Sequence, residues 1–412
     1  MNIRLLKLFF ILLLLLPTLS CAPVTYSKEK VEQSVIDLCK KEYDLDVEAK
    51  IIGSTLGVHI PIDGLVDPDL KLNKEAGEKI EDVALSIHRV TMSTNKPLSF
   101  YTLVARDTKT LGAEFTLTGF VYDVVRVRLL DISRGEYHKR ILRDFKFNPV
   151  IAGQTKINEL FKALNENSPQ IQNISPVFYP LFPIGKPGSQ KIQISQIDSK
   201  EISQQEALFY IKTKEYYDPL PQFEAYRTIF PSGFGNEYLI LVNVSMFPSP
   251  IKEIVPKYFY SENEIKQRDL KETFANYKDT GYIGINGLPK KDLALDWFLS
   301  QQIANRINML FAEDKKLRGN FTVKKSEASV DNRVFRLNVS IVPDKPGNTD
   351  NETIFSAILK HIGNVLHRYS FEDFEGIEII NTDAAEEKVY LSKDDLEKFR
   401  LGKLKFKDIT RS

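Results

Sequence analysis

The segment RVFRLNVSIV, residues 333–342, decides the class of fold. Phe335, Leu337, Val339 and Ile341 alternate with Arg336, Asn338 and Ser340, the period-two pattern of a strand with one face buried and the other wet. Just upstream, Phe321–Glu327 reads as a partner strand, preceded by a helix over about Lys291 to Leu317 with Ile303, Ile307 and Leu310 on one stripe. Downstream, Thr349 and Glu352 have the spacing of a capping box. The helix they open runs to about Tyr369 and carries Phe355, Leu359, Ile362 and Leu366 on one face. Strands over Gly376–Asn381 and Lys388–Leu391 follow, and Ser392 with Asp395 caps a last short helix. The element order is α-β-β-α-β-β-α.

The N-terminal part gives the same order. A helix spans about Glu29 to Tyr43, with two strands near Val47–Ile52 and Leu56–Ile62. A second helix over Lys74–Met92 places Ile80, Val83, Ile87 and Val90 on one face. Leu98–Ala105 and Ala113–Val121 read as strands, Phe115 and Leu117 alternating with Glu114 and Thr116. Asp123 is placed to cap a helix through Leu130, although VVRVRLL also alternates as a strand would. The expected class is α+β: two α/β sandwich-like modules with largely antiparallel sheets, residues 29–147 and 289–412, sharing element order but little residue identity. The shared order suggests a duplication.

Between them, residues 148–288 form an irregular, β-containing region rich in proline and aromatics. Residues 176–260 hold 10 of the 20 prolines and 16 of the 44 aromatic side chains, so PVFYPLFPIGKPG and YYDPLPQFEAYRTIFPSGFG are not regular helices. EYLILVNVSMF reads as a buried strand and SENEIKQRDLKETFANYK as a helix. The aromatics either fill the core of this region or present a surface for a protein, peptide or glycan.

Lys+Arg of 56 against Asp+Glu of 55 leaves a net charge of +1, which provides no basic excess for nucleic acid. The two cysteines are Cys21 and Cys39. Cys39 lies one step from the stripe of Val31, Val35 and Leu38 and reads as a small buried hydrophobe.

The first residues carry Arg4 and Lys7 ahead of an unbroken apolar run of nine residues, Leu8–Leu16. Nine residues of helix reach about 14 Å, and a membrane span needs ~20 residues, so the run has signal-peptide size. Pro17 ends it, and Thr18, Leu19 and Ser20 lead into Cys21. This segment resembles the lipobox of bacterial lipoprotein precursors, with Leu19 at −2 and Ser20 at −1. The resemblance covers residues 1–22 alone. It implies a signal peptide over 1–20, a diacylglycerol on the Cys21 thiol, cleavage before Cys21, acylation of the new amino terminus, and a tether over 21–28. The alternative is an ordinary secretory leader cut near Ser20 or Ala22. Ala22, with no aspartate after the cysteine, resembles the outer-membrane default of diderm bacteria. The body would then be extracytoplasmic, held in the cell envelope by membrane lipid.

For chemistry, His361 and His367 are six apart on one helix, not the i, i+4 of a helical zinc pair. His59, His88 and His138 have no adjacent cysteine. GYIGING, residues 281–287, spaces its glycines without the GxGxxG order and reads as a turn before Leu288-Pro289. Ser232, in FPSGFG, has no motif-level base. Asp63, Asp67 and Asp69, and likewise Glu372, Asp373 and Glu375, read as solvated loops. No catalytic residue, cofactor or metal is expected, and Cys21 is the one modified site. The expected function is a non-catalytic binding or assembly lipoprotein with an envelope protein or glycan as partner. The alternative is an extracytoplasmic hydrolase of cell-wall or carbohydrate polymers, using distant paired carboxylates.

Overall fold

Every fourth residue of the first helix is buried. In α1, Val31–Tyr43, the stripe is Val31, Val35 and Cys39, with Leu38 only half-buried beside it, so the cysteine sits on the stripe rather than a step off it. The helix ends where Asp44 turns left-handed, with Leu45 N–H donating to Cys39 O. Strands β1 (Glu48–Ile52) and β2 (Thr55–Ile62) form a hairpin in register Ile52↔Thr55. Helix α2 spans Lys74–Met92; its Asn73 cap accepts from Glu75 N–H, and Ile80, Val83, Ile87 and Val90 are buried. It carries the chain across to β3 (Phe100–Asp107), which lies parallel to β2, and β4 (Ala113–Phe120) lies beside β3. The short 108–112 connection makes that last pair a hairpin, because a parallel return needs a dozen residues or more. After α3 (Val121–Arg128) and α4 (Arg134–Arg140), β5 (Leu142–Phe147) adds a fifth strand, giving the order β1-β2-β3-β4-β5.

Helix α5, Pro149–Glu166, then packs on a second sheet, the antiparallel meander β6 (Gln190–Glu201), β7 (Glu206–Tyr217), β8 (Glu237–Ser245) and β9 (Glu253–Tyr260). Pro256 sits on edge strand β9 at a register shift, the position where a strand tolerates a missing N–H. Ala207 to Ile211 of β7 are all buried.

The C-terminal part begins with α6, Leu295–Glu313. Strands β10 (Phe321–Asp331) and β11 (Val334–Pro343) meet through Asn332 and Arg333, both at positive φ, as a two-residue hairpin turn requires. Helix α7 (Asn351–Arg368) crosses to β12 (Gly376–Asn381), parallel to β11, and β13 (Glu387–Ser392) returns antiparallel before α8 (Lys393–Arg400). Ser392 Oγ caps α8 by accepting from Asp395 N–H at 3.2 Å. Phe335, Leu337, Val339 and Ile341 are buried under the helices. The opposite face carries the ladder Asp331–Arg336–Glu378–Lys388.

The class is therefore α+β, and each end follows α-β-β-α-β-β-α with a parallel central pair flanked by hairpins. The chain forms two compact units: residues 1–117 with 143–291, and residues 118–142 with 292–412. The computed structural model describes residues 26–67, 69, 71–110, 112–166, 190–202, 206–217, 237–245, 253–260, 274, 281–284, 286–344, 351–383 and 387–409. The signal segment with Cys21, the two proline-rich segments apart from Tyr216 and Tyr217 of β7, Ser232 within the second of them, the Thr349 half of the capping box and nearly all of SENEIKQRDLKETFANYK lie outside them. No helix among the described residues is long and apolar enough to cross a membrane.

Candidate functional site

The segment from Val121 to Arg140, whose first part through Leu130 fits helix and strand alike in sequence, is a helical hairpin. Asp123 does not cap α3, whose N-cap is Phe120; its carboxylate lies in the first turn, 2 % exposed, and accepts from Arg140 Nη1 at 2.7 Å and from the Tyr369 hydroxyl at 2.6 Å. Arg140 donates its Nε to Glu136 Oε1 at 2.9 Å, and the same oxygen accepts from Arg306 and Arg368 at 3.2 and 3.1 Å. Gln302 donates to Arg140 O and to the Tyr369 hydroxyl. Phe120, Phe298 and Tyr369 pack ring against ring around this network.

The electrostatics follow from burial plus pairing. Burial alone would raise the Glu136 carboxyl, but the guanidiniums of Arg140, Arg306 and Arg368 outweigh it and hold the group below its ordinary range. Burial, then the Asp123 charge, pushes the Tyr369 hydroxyl well up. His361, on α7, is pushed down to about 4 by burial and by Arg306 and Arg368. The hairpin is thus clamped at its base by charges that are costly to separate, because removing one partner of a buried pair costs roughly 3–5 kcal/mol.

Its tip is the opposite. Leu129 and Leu130 are 74 % and 89 % exposed, and Arg128 and Arg134 beside them are exposed as well. The turn is a Schellman ending of α3: Asp131 N–H donates to Arg126 O at 2.9 Å and Leu130 N–H to Val127 O at 3.3 Å. Leu130 stands at the left-handed position, φ 60°, where glycine is usual and a side chain costs about 1–2 kcal/mol. Where an apolar contact normally closes this motif, Arg126 Nε and Asp131 form an ion pair at 2.5 Å. Ser133 then caps α4 by accepting from Glu136 N–H at 3.1 Å. The Ser133-x-x-Glu136 spacing was the signal in the sequence that a new helix starts there, and hence that a turn precedes it.

Of the residues singled out from sequence, Asp123 and His138 lie on this hairpin, while Cys39, the loop carboxylates, His59 and His88 do not converge on it. Cys39 is buried, its thiol pushed up by desolvation, so it is a packing residue of α1. Asp63 pairs with Lys109, Glu372 with Lys393, and Asp373 and Glu375 with Arg333, all on exposed loops. His88 packs its ring edge-on to Tyr101, 5.1 Å between centroids. GYIGING is a turn: Gly284 N–H donates to Leu288 O at 2.7 Å and Gly287 has φ +78°. That turn lies over His59, and Arg106 ties it down by donating to Gly284 O while pairing with the buried Glu114 at 2.8 Å. Burial, then the Arg106 charge, lowers His59. An open depression of about 530 Å³ lies between α6 and β10, beside Phe311, Arg318 and Asp344. Among the described residues no group of three or more His, Cys, Asp or Glu is placed to hold a metal ion. Comparison with known proteins found no match to the chain, whether among family models, curated proteins or solved structures.

Proposed function

We propose that the chain is a lipid-anchored envelope lipoprotein whose body is a non-catalytic binding or assembly module. The supporting observation for the anchor is the order of residues 1–21: Arg4 and Lys7, the nine-residue apolar run, Pro17, then Leu19-Ser20-Cys21. Two or more acyl chains hold a protein firmly where one does so only marginally, so diacylglycerol plus an acylated amino terminus would make a stable tether. The supporting observation for binding is the hairpin 121–140, which spends a buried ionic network on holding up a turn of exposed leucines and arginines. Crosslinking in intact envelopes, followed by recovery of the chain under denaturing conditions, tests the reading. It predicts discrete crosslinked species that join the chain to an envelope protein or glycan. A chain that crosslinks to nothing contradicts it.

A further inference from the structure

We infer that the turn between α3 and α4 is a second membrane contact, with Leu129 and Leu130 entering the interface of an anionic bilayer and Arg128 and Arg134 meeting its phosphates. The inference deepens the anchored reading, and rests on it, by naming what the exposed hairpin tip engages.

Four observations point the same way. The two leucines are the most exposed large apolar residues described in the chain, and they are adjacent in the turn that ends α3. Leu130 occupies a backbone position that favours glycine, so the fold itself gives no reason for a leucine there. Arg128 and Arg134 flank the pair and are exposed, Arg134 at a helix N-terminus where a cation gains nothing from the helix dipole. The one carboxylate between Arg128 and Arg134 in the chain, Asp131, is paired with Arg126, and residues 121–140 hold five Lys and Arg against three Asp and Glu. Aliphatic tips backed by arginine suit the boundary between acyl chains and anionic headgroups. A specific protein interface buries roughly 800 Å² and 20–30 residues per partner, far more than one turn supplies. A tip too weak to bind alone becomes effective when a tether raises its local concentration at the bilayer.

The test uses the full lipoprotein, purified in detergent and reconstituted into vesicles of zwitterionic lipid with or without about a third of anionic lipid. Cys39 is buried, so Leu130→Cys places one accessible thiol at the tip for an environment-sensitive dye, and Leu85→Cys on α2 serves as an exposed control. The expected result is a blue shift and at least threefold protection from an aqueous quencher at Leu130→Cys in anionic vesicles. Arg128→Glu with Arg134→Glu should remove most of that protection, and Leu85→Cys should show none. A dye at position 130 that stays fully quenchable in both vesicle types overturns the inference. So does protection that appears already in detergent and grows with protein concentration, which would make a second copy of the chain, or a co-purified protein, the occupant. The same assay on the unlipidated Cys21→Ala chain separates the two claims: loss of anchoring shows as chain left in solution, loss of the tip contact as quenching of chain still on the vesicle.

Discussion

Leu130 carries the tension between stability and use in this protein. Its left-handed backbone should cost about 1 kcal/mol relative to a residue that tolerates φ near 60°. Leu130→Asn is therefore expected to raise the urea midpoint of the C-terminal unit, by the equivalent of roughly 0.5–1 kcal/mol, while weakening membrane contact. A variant destabilised by more than that gain would show that Leu130 has a packing role. His361 provides the second prediction at this scale. The folded unit keeps it neutral down to about pH 4, whereas the unfolded chain takes up its proton near the ordinary 6.5. The unfolded state binds more protons in that window, so stability is flat above it and falls as pH drops from about 6.5 to 4, on the order of 2 kcal/mol. Glu136, held below its ordinary range, adds a further loss at still lower pH as its carboxylate protonates. Denaturant midpoints at pH 7 and 4.5 check this, and His361→Leu should flatten most of the difference; an unchanged slope would assign it to other groups. Little of this was legible in the sequence. Asp123 and Arg140 are 17 residues apart, which is no spacing of one helix, and only the turn at Leu130 brings them together.

Elements were far more legible than pairs. Helix α2 and strand β12 begin and end where periodicity places them, because long amphipathic runs and β-branched alternation leave little freedom. VVRVRLL fitted both periods, and the choice of helix follows from tertiary burial of Asp123, which a local pattern does not encode. Strand β5 is not legible in the sequence, because burial along LRDFKF does not alternate. Two predictions belong here. Arg140→Met leaves Asp123 buried without its cation and should cost roughly 3–5 kcal/mol of unfolding free energy, while Asp123→Asn in the same chain restores part of it. Additive effects of the two changes would mean that the pair does not clamp the hairpin. Gly57, on β2, faces the ring of Pro289, and any added Cβ would collide with it. Gly57→Ala should therefore lift the 281–291 turn off the sheet at a cost of about 1–3 kcal/mol, seen as faster limited proteolysis within that turn. Cleavage at the wild-type rate would show that the turn is not held there.

For the whole molecule, the repeated α-β-β-α-β-β-α order was readable because both ends carry the same succession of periods. Their shared strand order and pairing sense came only with the structure. The division into units was not readable: the chain leaves the first unit after Leu117 and returns at Arg143, and hydrophobic patterning records that a face is covered without recording by what. The anchor belongs to the opposite case, since its evidence is entirely in the order of the first 21 residues. Metabolic labelling with radioactive palmitate, followed by fractionation of membranes from soluble protein, tests it most directly. The account predicts label on the wild-type chain in the membrane fraction, with Cys21→Ala unlabelled and released. Equal labelling of the variant, or an unlabelled wild-type chain, would contradict it.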